Sequence, residues 1–61
     1  MSLDIALTIA CYLDSIKVAS ITVEKGANLD LQDDGGETAL MLACYKNRIE
    51  IVAYILSWYD E

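Results

Sequence analysis

From Thr38 onward the chain lays down a mostly apolar run, Leu40, Leu42, Ala43 and Cys44. The polar triplet Lys46-Asn47-Arg48 breaks that run, and Ile49, Ile51, Val52, Ile55 and Leu56 then resume it at helical spacing. That pattern predicts two short helices with a tight turn at Asn47, a residue type that tolerates the left-handed backbone such a turn needs. The stretch from Ile5 to Val23, "IALTIACYLDSIKVASITV", reads the same way, with Asp14 at the break and Ser15 placed to cap the next helix. Between the two lies "GANLDLQDDGGET", rich in Gly, Asn and Asp. There Gly26 suits a helix C-terminal cap, and Gly35-Gly36 a turn with positive φ. The predicted chain is mainly α and forms one unit over residues 1–61: a helix pair at about 5–25, a hairpin-like turn at about 26–37, and a second helix pair at about 38–58.

The two helix pairs are similar to each other. Shifting the chain by 33 residues aligns Ile5–Val23 with Thr38–Leu56, and six of the nineteen pairs are identical: Ala6/Ala39, Leu7/Leu40, Ala10/Ala43, Cys11/Cys44, Tyr12/Tyr45 and Ile16/Ile49. Chance gives about one or two in so apolar a composition, so the period marks a repeated structural unit. Most other pairs keep their character, among them Ile9/Leu42, Asp14/Asn47, Val18/Ile51 and Val23/Leu56.

The segment "GANLDLQDDGGETALMLACYKNRIEIVAYIL" resembles an ankyrin repeat, whose pattern spans 33 residues. Gly26, Ala27, Asp33, Gly36, Thr38, Leu40, Ala43, Ile51, Val52 and Leu56 stand where that pattern expects them, and Glu50 fits its common "LEIV" segment. The resemblance covers one nearly whole repeat, Gly26 to Trp58, and the two helices of a preceding one, Ile5 to Lys25. Ala39 departs from the proline that usually opens the first helix and Met41 from the histidine that follows. Asn47 and Asp14 replace the glycine between helices. These departures are expected to lower stability and blur the helix starts. The resemblance implies a stack of two helix-turn-helix units joined by a β-hairpin-like turn. It also implies a protein-interaction module within a longer array, since about three such units are usually needed for a stable stack. Tyr59 stands where the first copy has Gly26, so the array is expected to stop there, with Asp60 and Glu61 adding some polarity.

Composition sharpens this reading. Hydrophobic residues make up 56% of 61 residues, above the roughly 45–50% usual for soluble domains. A chain this short buries only about 60% of its unfolded surface, so the surplus points to a partner surface or a neighbouring copy. Ten acidic against four scattered basic residues give a net charge of −6, which argues against nucleic acid and anionic membranes. Asp14 and Lys17 sit in the middle of the long apolar stretch and oppose membrane insertion, and no basic segment precedes it as in a signal peptide. A cytoplasmic or nuclear location with reduced thiols is expected.

Candidate chemistry is sparse. A disulfide between Cys11 and Cys44 needs Cα atoms within ~7 Å, whereas equivalent positions on stacked helices lie roughly 8–10 Å apart. Both thiols are therefore expected to be small buried groups, and two cysteines without histidine make a poor zinc site. Asp30, Gln32, Asp34 and Gly35 fall on calcium-loop positions, but Met41 stands where the loop needs a bidentate glutamate. With no histidine and no nucleophile beside a base, no catalytic residue is proposed and no cofactor is called for.

Recognition remains. Ankyrin-like stacks grip partners with their hairpin tips and the exposed side of their first helices. Carried onto this chain, that implies Asp34, Gly35 and Glu37 at the tip, Tyr45 and Lys46 at the end of one helix, and Tyr12 and Leu13 one repeat earlier. Tyrosine offers large contact area at low entropic cost, so Tyr12 and Tyr45 in register form a short aromatic ladder beside acidic residues. A basic or apolar peptide segment of another protein suits such a surface. Packing of the exposed repeat faces against another copy is the alternative, and in either case the tyrosines could simply cover the stack.

Overall fold

The computed structural model describes residues 2–59. Four helices follow one another: α1 (Leu3–Leu13), α2 (Ile16–Glu24), α3 (Ala39–Tyr45) and α4 (Ile49–Tyr59). Within each pair the helices run back against one another. Between the pairs α1 packs on α3 and α2 on α4, giving a two-layer stack of two equivalent units. Asp60 and Glu61, and any polarity they add, lie outside the described residues.

Local chemistry sets the boundaries of these helices. The hydroxyls of Ser2, Ser15 and Thr38 accept hydrogen bonds from the backbone N–H groups of Asp4, Val18 and Met41, so α1, α2 and α3 each start at a side-chain cap. A hydroxyl cap thus stands at each of these starts although the proline and histidine of the family pattern are missing, and α1 begins three residues earlier in the repeat than α3 does. At the other ends the chain turns through left-handed residues: Asp14 (φ 59°), Gly26 (φ 103°) and Asn47 (φ 60°). After each, a backbone N–H reaches five residues back, from Ser15 to Ala10, Ala27 to Thr22 and Arg48 to Ala43, and thereby satisfies carbonyls that the helix end would otherwise orphan.

The connecting loop is hairpin-like but carries no strand among the described residues. Two backbone hydrogen bonds, from Asp33 N–H to the Glu37 carbonyl and from Gly36 N–H to the Asp33 carbonyl, both at 2.9 Å, hold its tip together. The Asp33 carboxylate accepts from the N–H groups of Gly35 and Glu37, both at 2.9 Å. Of the two glycines at the tip, Gly36 alone takes positive φ (82°).

The core runs through both units: Leu7, Ala10, Cys11, Ala19 and Val23 from the first, Ala39, Leu42, Ala43, Ile51 and Ile55 from the second, with Ala27 between them. Small side chains at Ala10, Cys11, Ala19, Ala39 and Ala43 let the helices approach closely, while Leu7, Ile51 and Ile55 fill the centre. Burying each of these larger side chains contributes about 1.5–3 kcal/mol. One expectation fails here: Cys11 is buried but Cys44 is exposed. The second unit is laid over Cys11, whose Sγ lies 3.7 Å from the Ala39 carbonyl oxygen, and nothing in residues 2–59 occupies the matching place over Cys44.

Candidate functional site

Polar contacts across the seam between the units fix the helix ends that carry the candidate surface. Arg48, at the entry to α4, reaches back over the first unit and donates from Nε to the Cys11 carbonyl (2.9 Å) and from Nη2 to the Tyr12 carbonyl. It also approaches Asp14 at 4.0 Å. The Tyr54 hydroxyl contacts the Ser20 carbonyl and the Glu24 carboxylate, each at 3.3 Å. At the loop, the Asn28 N–H donates to Asp4 Oδ1 (2.6 Å), which ties the loop to the start of α1.

With the register held in this way, Tyr12 on α1 and Tyr45 on α3 occupy the same column one unit apart. Lys46 Nζ lies 5.1 Å from the Tyr12 ring centroid and 5.8 Å from that of Tyr45, within cation–π range of both. Both tyrosines are exposed and Lys46 is half-buried, so the cluster presents its rings to solvent.

Tyr12 has a second neighbourhood. A groove of about 530 Å³ opens between α1 and the loop, walled by Ile5, Thr8, Ile9 and Tyr12 on one side and by Leu31 and Asp34 on the other. Its lining is mostly apolar, and Asp4, Asp33 and Asp34 place carboxylates around it. Gly35 and Glu37 flank the loop tip and Leu13 ends α1; these three lie outside the groove wall. The structure thus joins Tyr12 to Asp34 through the groove and to Lys46 and Tyr45 through the ring column, and leaves Leu13, Gly35 and Glu37 at the edges.

Sequence reasoning missed Ile5, Ile9 and Leu31 as groove walls and Arg48 as the clasp. The spacing of Ile5, Ile9 and Tyr12 puts them on one face of a helix and could have revealed the first two. Leu31 and Arg48 act through contacts distant in sequence, which no local pattern announces. Among the described residues no three His, Cys, Asp or Glu side chains gather as a metal site would require, and no helix is long and apolar enough to cross a membrane.

No solved structure matches the chain. A family model described as "Ankyrin repeats (3 copies)" matches residues 3–61, nearly the full length and all four helices. The chain belongs to the ankyrin repeat family.

Proposed function

We propose that this chain is a non-enzymatic interaction module that grips a basic and apolar peptide segment of another protein. Ankyrin repeats are generally modules for protein–protein interaction and generally non-enzymatic, and the finer reading rests on the surface of this chain. The observation that carries it is the double membership of Tyr12, which walls the apolar groove and also stands in the Tyr12–Lys46–Tyr45 column. An apolar side chain of the partner would enter between α1 and the loop, and its lysines or arginines would meet Asp4, Asp33, Asp34 and Glu37. The tyrosine rings would supply flat contact area already held by Lys46. Exposed Cys44 as a free thiol fits a reducing compartment, cytoplasm or nucleus.

The test is a peptide array of sequences combining Leu or Phe with Lys or Arg, probed with the chain and with a Tyr12→Ala/Tyr45→Ala variant. Truncating two aromatic anchors is expected to weaken capture by about 30-fold or more, with the helical circular-dichroism signal intact. Equal capture by both proteins would remove the tyrosine column from the account.

A second reading, assembly with another copy, is favoured by one observation. Both ends of the stack present apolar side chains: Ile9, Val18 and Ile21 at one, Ile49 and Leu56 at the other.

A further inference from the structure

The seam inside the chain shows what each unit buries when a neighbour covers it, and the 33-residue register shows which residues stand in the same places at the uncovered ends. On the side facing the second unit, Cys11, Ala19 and Val23 are buried; the matching residues of the second unit, Cys44, Val52 and Leu56, are exposed or half-buried and, with Ile49, line an open depression on α3 and α4. On the side facing the first unit, Leu42 is 2% exposed and Ile51 is 0%; the matching residues of the first unit, Ile9 and Val18, are 40% and 42% exposed. The uncovered ends therefore continue an interface that already exists within the molecule.

We propose that a second copy of this chain stacks head to tail, its α1–α2 outer face on the α3–α4 outer face of the first, one repeat step on. This proposal rests on the assembly reading and adds to it the faces, the register and the direction. Side-chain volumes support the pairing. Relative to the internal seam, the α4 face grows, with Val52 for Ala19 and Leu56 for Val23. The α2 face that would meet it shrinks, with Val18 for Ile51 and Ile21 for Tyr54. Inside the chain α2 packs on α4, so the enlarged and reduced faces are the ones brought together, and larger side chains on one meet smaller ones on the other.

Charge alternates along one column as well: Lys17 of the incoming copy falls one step beyond Glu50 of the first. At the place of Arg48 the incoming copy offers Ser15, whose hydroxyl is occupied in capping α2. Contact between copies therefore lacks the guanidinium clasp and is weaker than the internal seam. Net charge of −6 on each copy opposes it further, so salt strengthens the association. A contact between two different faces does not close on itself as a two-fold dimer does, and species larger than dimers follow with rising concentration.

Sedimentation velocity of the 61-residue chain from low micromolar to about 1 mM, a range spanning weak but specific association, tests the proposal with Val18→Glu and Leu56→Glu. Both positions are about half exposed in one copy, so each variant is expected to keep its helical circular-dichroism signal; Ile21→Glu and Ile49→Glu serve in their place if either does not. Wild-type chain is expected to associate beyond dimer, each variant alone to stay monomeric, and an equimolar mixture to form a 1:1 dimer, since each supplies the face the other lacks. Cys44 labelling by iodoacetamide is expected to slow as wild-type concentration rises. A wild-type monomer throughout would sink the assembly reading itself. Association that survives in either variant alone, or a mixture that stays monomeric, would leave assembly standing and overturn the head-to-tail register.

Discussion

Cys11 and Cys44 are the same residue at the same repeat position in two environments. Cys11 lies under the second unit, and burial pushes its thiol pKa up, partly offset by the nearby positive charge of Arg48. A thiol whose pKa is raised on folding stabilises the fold fully below its ordinary pKa of about 8.5 and loses that contribution as pH rises through the folded value. Urea stability is therefore expected to fall above about pH 8.5, and Cys11→Ala to remove that slope while Cys44→Ala leaves it. At neutral pH and low protein concentration one thiol per chain is expected to react with an aromatic disulfide reagent, and the second only in denaturant. Two thiols reacting together in the folded chain would contradict the burial of Cys11. Sequence equivalence placed the two cysteines correctly in register but not in exposure, because cover comes from a neighbouring unit and is not a property of the position itself.

At the scale of elements, helices end where a residue can turn left-handed. Gly26 does this without a Cβ, whereas Asp14 and Asn47 do it with a short polar side chain that tolerates the conformation. Asn47→Ala is expected to cost about 1 kcal/mol of folding stability in urea titration, and Asn47→Gly to keep or raise the midpoint. Equal losses in both variants would show that the Asn side chain, not the backbone turn, supports the α3–α4 junction. These breaks were legible in the sequence, as were Ser15 and Gly26 as caps, because capping and turning depend on residues a few positions apart. The loop was legible only in part: it turns at Gly36 alone, and the Asp33 carboxylate fastens it by taking two backbone N–H groups. Arg48 was invisible as a clasp because its partners are the carbonyls of Cys11 and Tyr12, more than thirty residues earlier.

In the molecule as a whole, two helix pairs set 33 residues apart share one core and hold two tyrosines in register. That register was readable from the repeated Ala-Cys-Tyr triplet. The groove was not, since it needs the loop to fold back along α1 through Asn28 and Asp4. The proposed interaction surface therefore belongs to the stack and to neither unit alone: Tyr12 comes from the first unit, Tyr45 and Lys46 from the second, and Asp34 from the connection between them. The most direct measurement is a nitrogen–proton NMR titration of the labelled chain with the tightest peptide from the array. Shifts are expected to concentrate at Tyr12, Tyr45, Lys46, Asp34 and the groove wall of Ile5, Ile9 and Leu31; shifts confined to Ile49, Val52 and Leu56 on the far face would contradict that surface.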